Sequence, residues 1–418
     1  MPTTIDNKFL IKKETVFVGI LFFGMLIAYY SSLYPWPLWP LKGKVSILAA
    51  IILLAAFWIK PDSSKNVFTR TDFIAATLLY FTLELYQRLV GDSNIIGFAS
   101  VVFHVFIFMT LFQLDKDILP KLMMFLTKFM AVIQVIALIG FFLFLLGFPL
   151  PSRDATFDNE FYFYTNYYFF LLDDRQMLVL FPRFQSYFVE PNYHGTACVL
   201  LLFYQCGRWK KWYNIVLLIT SLLSFSLSAY VLLVVVLFLN SWRRGKHIFR
   251  QVLLSIIIIG SVVGASFVYN DGENLVHDLI LLRLEVEDGE LAGNDRITDN
   301  FKHDYEKFWK SDDILFGRER DKSEFGNQGY QVYIYENGLI GLFLLIIFYI
   351  SATYKAPNKR SLISAWIMVI LIFGVNGEIT WNQIFIPIFC TAFSEPDSAE
   401  RAEMDSKRKK KKLQAATT

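Results

Sequence analysis

Between Lys128 and Arg153 the chain carries no charged residue and is almost entirely apolar. Such a stretch crosses a ~30 Å hydrocarbon core as a helix, which takes ~20 residues. Comparable runs recur along the whole sequence. Apolar residues make up 55% of the chain and the mean hydropathy is +0.43, against ~45–50% apolar in soluble domains. The sequence therefore reads as an all-α polytopic membrane protein of about twelve transmembrane helices with two large outer-face loops. The helices are expected at roughly 15–34, 45–59, 72–89, 95–113, 120–148, 192–206, 212–225, 228–241, 251–269, 333–350, 361–376 and 380–393.

Basic residues set the orientation, because they concentrate in cytoplasmic connections. With both termini inside, the inner connections hold Lys60, Lys65 and Arg70; Lys116 and Lys121; Arg208, Lys210 and Lys211. Arg243, Arg244, Lys246 and Arg250 follow, then Lys355, Lys359 and Arg360, and finally Arg401 and Lys407 through Lys412. Short outer connections hold almost none, apart from Lys42 and Lys44. The organisation is then an N-terminal bundle of about five helices (1–148), a first outer loop (149–190), central helices (191–269), a second outer loop (270–332), C-terminal helices (333–393) and a basic cytoplasmic tail (394–418). The tail reads as a solvated topogenic run attracted to anionic lipid rather than a nucleic-acid patch. The polar start, Met1 to Glu14, precedes a run with no small-residue cleavage pattern, so the first helix is expected to be retained.

Cys198, Cys206 and Cys390 fall inside apolar runs and read as packing residues. No Walker loop, dinucleotide fingerprint, HExxH or Cys/His cluster is present, so neither a cofactor nor a metal is expected. Glu84 and Arg88, spaced i, i+4, read as a helix-end ion pair.

The two outer loops exceed the ~12–15 residues of an ordinary connection. The first carries Phe161-Tyr-Phe-Tyr-Thr-Asn-Tyr-Tyr-Phe-Phe170, which can lie along the headgroups as an aromatic belt or stack on sugar faces; the belt is favoured. In the second, Ile297, Phe301, Tyr305 and Phe308 recur at helical spacing and define one apolar stripe. Arg296, Asn300, His303 and Lys307 fall on another side, as a solvated face or as a basic edge turned to a ligand.

One stretch, Arg183-Phe-Gln-Ser-Tyr-Phe-Val-Glu190-Pro-Asn192-Tyr193-His194-Gly195, resembles the R…F.EPN..G signature of Wzy-type O-antigen and capsular polysaccharide polymerases. The second outer loop is similar to that family's other signature. It runs from Arg296 through Phe308-Trp309 and Leu315-Phe-Gly317 to Tyr335-Glu-Asn-Gly-Leu-Ile-Gly341. The break Ser224-Phe-Ser-Leu-Ser-Ala-Tyr230 is also similar to the family, and the resemblance spans about 183–341. WaaL-type ligases of the same superfamily usually carry a histidine about nine residues before the glutamate; here that place is Asn327, which favours a polymerase.

The resemblance implies glycosyl transfer on the outer face of the cytoplasmic membrane. The donor would be an undecaprenyl-diphosphate-linked oligosaccharide repeat and the acceptor a hydroxyl of the next repeat. Membrane lipid and a chain-length regulator protein are the further partners implied; nucleic acid is not one. Arginine suits a diphosphate leaving group, since its planar fork bonds phosphate oxygens bidentately and keeps its charge. Arg183 and Arg296 are the first candidates for that grip, Arg318 and Arg320 the second, with His303, Asn192 and Tyr193 as further substrate contacts. Glu190 is a candidate base for the acceptor proton, or a cap of the sixth helix. His194 reads as a packed histidine, and Glu336 as a cap or buttress of the tenth helix. Competing readings are an O-antigen ligase and a lipid-linked oligosaccharide flippase. The absence of a visible internal repeat counts against transport.

Overall fold

The computed structural model describes residues 3–41, 43–60, 66–90, 95–157, 162–174, 182–245 and 249–250, scattered positions within 253–291, and residues 297–320 and 329–397. The apolar runs form helices throughout. They are α1 (Thr3–Ser31), α2 (Lys44–Ile59), α3 (Arg70–Val90), α4 (Ile95–Phe112), α5 (Leu119–Leu145), α6 (Pro191–Tyr204), α7 (Trp212–Leu223) and α8 (Leu227–Arg244). A loop helix α9 (Asp299–Phe308) precedes α10 (Tyr330–Thr353), α11 (Lys359–Asn376) and α12 (Asn382–Ala392). Five of these helices are long and apolar enough to cross a membrane: α1 from Lys13, α5, α8, α10 and α11. The chain is a helical membrane protein. The helix expected over 251–269 and the basic tail lie largely or wholly outside the described residues.

Helix boundaries follow local chemistry. The break between α7 and α8 falls in the serine-rich stretch: Phe225 takes a left-handed φ of 44°, and Ser226 caps α8 by accepting from the Ala229 amide. Gly245 ends α8 in the left-handed conformation, which glycine adopts without a β-carbon penalty. Asn358 caps α11 through the Arg360 and Ser361 amides.

Two short helices make the centre. α6 is buried at every position but Tyr193, and α12 is buried along its whole length. Burial on every side means that protein, not lipid, surrounds these two helices. At 1.5 Å rise per residue α12 is only ~16 Å long, so its neighbours supply the rest of the thickness. Gly195 lets α6 pack closely on α8, since a β-carbon there would lie 2.6 Å from Ala229 Cβ. Around α12 the rings of Phe108, Phe348, Phe385 and Phe389 interlock, with Tyr80 stacked on Phe108 at 3.8 Å. Arg243, expected only to set orientation, is buried at the end of α8. It donates to the Phe203 carbonyl (2.9 Å), Ser394 (2.9 Å) and Ser361 (3.3 Å), tying α6, α11 and the end of α12 together.

The first loop contains a three-stranded antiparallel sheet that the sequence reading lacked: β1 (Arg153–Phe157), β2 (Tyr162–Asn166) and β3 (Leu171–Asp173), in that order. The aromatic run supplies β2 and the turn after it. Tyr164 is buried, and its hydroxyl donates to the Val189 carbonyl at 2.8 Å. Tyr167 and Phe170 stack at 4.9 Å beside Phe144 of α5. Phe163, Tyr168 and Phe169 remain exposed, so the run divides between packing and a free aromatic edge. In the second loop, β4 (Val286–Glu287) pairs with β5 (Glu290–Leu291). The expected apolar stripe forms α9, capped by Thr298 through the Phe301 amide. Phe301 and Phe308 pack with Val332, Ile334 and Tyr335 of α10, and Ile297 and Tyr305 border them.

Candidate functional site

The second loop reaches the bundle through a joint of backbone on backbone. The turn Leu315-Phe316-Gly317 lies against Glu336-Asn337-Gly338 of α10. Arg318 N donates to the Tyr335 carbonyl at 2.8 Å, and Ile340 N donates to the Leu315 carbonyl at 3.1 Å. Gly317 (φ 82°) and Gly338 (φ 62°) leave room for this approach. Gly338 departs from helical geometry and puts a kink inside α10. The Tyr86 hydroxyl of α3 bonds the carbonyls of Phe316 and Asn337, both at 3.0 Å. A second joint sets the end of α11: a β-carbon on Gly377 would lie 2.2 Å from the Gly329 carbonyl oxygen.

These joints enclose a cavity of about 630 Å³, within the range of small-molecule sites. It lies at one end of the bundle, among the C-terminal ends of α1, α3 and α11 and the N-terminal ends of α2, α10 and α12. Its wall carries arginines Arg88, Arg318 and Arg320, carboxylates Glu84, Glu319, Glu336 and Glu378, the imidazole of His104, and aromatic rings that include Tyr193, Tyr333 and Trp381. Tyr193 and Trp381 meet edge to face at 5.4 Å.

The charges are organised in groups. His104 Nδ1 lies 3.4 Å from Glu84 Oε2, and the Tyr80 hydroxyl donates to Glu84 Oε1 at 2.8 Å. Glu84 therefore pairs across to α4, and the ion pair expected with Arg88 is not what forms. Arg88 has no ion-pair partner among the described residues. Arg320 pairs with Glu336 at 3.0 Å, so Glu336 braces the loop rather than capping α10. Arg318 lies over the Tyr335 ring at 4.6 Å and donates to the Asp304 carbonyl at 3.0 Å, which locks α9 to α10. Glu378, in the connection between α11 and α12, accepts from Thr380 at 3.2 Å. Burial and then the nearby Glu84 charge push its carboxyl up to about 6. Among the described residues no cluster of three or more His, Cys, Asp and Glu side chains could hold a metal ion.

Of the residues singled out in the sequence as substrate contacts, Tyr193, Arg318 and Arg320 line this cavity, and Glu84, Arg88 and Glu336, read there as structural, line it too. Asn192 stands one layer behind, buried, its amide 3.4 Å from Asn376 Oδ1 while its own oxygen accepts from Thr196 (3.3 Å) and Ser228. Arg183 is not in the lining; its Nε donates to the Ser224 carbonyl at 3.2 Å, at the α7–α8 break beside Tyr230. Glu190 is not in the lining either. It takes the N-cap position of α6 with extended backbone, and its side chain does not bond the helix's first amides. His303 is exposed on α9. Arg296 and Asn327 lie outside the described residues. His194 is buried, with Gln134 at 3.3 Å from Nδ1 and the Thr220 carbonyl at 3.3 Å from Nε2, as a packed histidine. His104 and Glu378 were not among the sequence candidates. The available signal was an ionisable residue inside or next to an apolar run, which marks a functional candidate by default.

Comparison with family models, with curated proteins and with solved structures finds no match to this chain.

Proposed function

We propose that the protein is a polysaccharide polymerase, a membrane glycosyltransferase that joins undecaprenyl-diphosphate-linked repeat units on the outer face of a bacterial cytoplasmic membrane. The observation that carries this reading is one cavity that combines arginines (Arg88, Arg318, Arg320), a carboxylate–imidazole pair and aromatic walls. The basic inner connections, read with about twelve spans and both termini cytoplasmic, put this end of the bundle outside. No nucleotide is available there, so a lipid-linked diphosphate is the activated donor that fits.

In this reading Arg88, which has no ion-pair partner among the described residues, meets the diphosphate, with Arg318 and Arg320, paired to Asp313 and Glu336, at the loop side. A donor aimed at developing negative charge is worth ~10²–10³ in rate. Tyr193 and Trp381 offer ring faces for the sugars. Arg183 stays a candidate on the sequence motif alone, since it bonds Ser224 outside the lining, and Arg296 lies outside the described residues.

Charged groups inside a helical bundle also suit a flippase, and the test separates the two. Cells lacking the gene should display single repeats on the outer face, and cells carrying Arg88→Gln should do the same. Normal long chains in Arg88→Gln cells would remove Arg88 from the reaction. Repeats trapped on the inner face of the deletion strain would make the protein a flippase instead.

A further inference from the structure

We propose that His104, oriented by Glu84, is the general base that takes the acceptor hydroxyl's proton; this rests on the glycosyl-transfer reading above. Three observations carry it. First, His104 and Glu84 both line the cavity, the His104 side chain 32% exposed and the Glu84 side chain 9% exposed. Second, both oxygens of Glu84 are held, one by the Tyr80 hydroxyl and one by His104 Nδ1, so the carboxylate has a fixed position. Third, with Nδ1–H directed at Glu84, the lone pair falls on Nε2, which has no hydrogen-bond partner among the described residues. A carboxylate that selects the tautomer and then steadies the imidazolium is the logic of a nucleophile-activating dyad.

The other described groups are less suited. His194 has both ring nitrogens occupied in the core, and Glu336 is tied to Arg320. Glu378 is the competing base in the same cavity; its carboxylate already accepts from Thr380 at 3.2 Å and interacts with Trp381. The charges facing His104 are Glu84 and Arg88 from α3 and Glu378 from the α11–α12 connection.

The step balances as follows. The acceptor oxygen forms a bond to the anomeric carbon, and the bond from that carbon to the diphosphate oxygen breaks. The bonding pair leaves with the diphosphate, and the hydroxyl proton passes to His104 Nε2. Glu84 touches only the imidazole and is a positioning residue.

The test uses the full chain in liposomes with a synthetic polyprenyl-diphosphate-linked repeat as donor and acceptor. His104→Gln keeps an amide that can donate to Glu84 but cannot take the proton. It should insert and bind donor with unchanged KM, while kcat falls ~10²–10⁴-fold, the usual weight of general-base catalysis. His104→Ala should fall as far and regain turnover when imidazole is added, a response that a purely structural histidine would not give. Glu84→Gln should lower kcat with little change in KM. Wild-type kcat in His104→Gln, loss of activity without imidazole rescue in His104→Ala, or an inactive Glu378→Gln beside an active His104→Gln would each overturn the assignment and leave the polymerase reading standing. A wild-type protein that elongates nothing overturns that reading, and the base with it.

Discussion

Gly317 and Gly338 face each other backbone to backbone: a β-carbon on Gly338 would sit 2.5 Å from the Gly317 amide nitrogen and 2.4 Å from the Leu315 carbonyl oxygen. Both have positive φ, so this joint needs glycine twice over, for conformation and for space. Gly338→Ala is expected to cost ~1–3 kcal/mol in backbone strain and ~1–3 kcal/mol more in overpacking. Gly19→Ala on α1, where a β-carbon meets nothing within 4 Å, is the control and should be neutral or stabilising. Thermal unfolding in detergent checks both; equal midpoints would show that the joint is not under constraint.

Phe308 fastens α9 to α10. It is fully buried, with Tyr335 at 5.3 Å and Tyr305 at 6.1 Å. Phe308→Ala should cost ~3–5 kcal/mol locally, as for other buried aromatic truncations. Limited proteolysis should then cut within 297–320 faster than in wild type, while the transmembrane core stays intact. An unchanged cleavage rate would mean that the loop is held by the glycine joint alone.

Glu378 gives a pH dependence with a defined sign. Its folded carboxyl titrates at about 6 because of burial and the Glu84 charge, above the ~4.3 of a free glutamate. The folded state therefore holds this proton more tightly than the unfolded one. Its stabilising contribution is complete below ~4.3 and is lost as pH climbs through about 6. The unfolding midpoint of wild type should decline across that window, and Glu378→Gln should flatten the decline. A parallel slope in the variant would assign the effect to another group.

At the opposite end of the bundle, Asp72 at the start of α3 accepts from Lys355, Tyr354 and Thr69, which ties α3 to the α10–α11 connection. Lys355 is exposed, so solvent screens the pair and only a weak coupling is expected. A double-mutant cycle of Asp72→Asn and Lys355→Met measures it. Zero coupling would reduce the pair to an incidental surface contact.

Much of the helix layout was legible because the signal is local. An uncharged apolar run reports its own burial, and Gly245, Ser226 and Asn358 end or start helices by chemistry within one turn. The stripe from Ile297 to Phe308 likewise announced α9. The sheet of the first loop was hidden because its aromatic residues suit a strand, a belt or a sugar platform equally well. Tyr164 and Phe170 belong to a core only once α5 and the 182–190 segment lie beneath them.

The sequence by itself determines the helical, lipid-embedded class, since hydropathy and helix caps depend on neighbouring residues, and it marks the two long loops by their length. Tertiary structure decided the site. Glu84 lies 20 residues from His104 in the chain and Glu378 nearly 300 from Glu84, so no spacing rule links them. They share one cavity because α3, α4 and the end of α11 pack around it, while Arg183 turns to Ser224. A pair such as Glu84 and Arg88 looks complete on a helical wheel, yet contact is decided by which neighbouring helix supplies the nearer partner, and here that is His104 on α4.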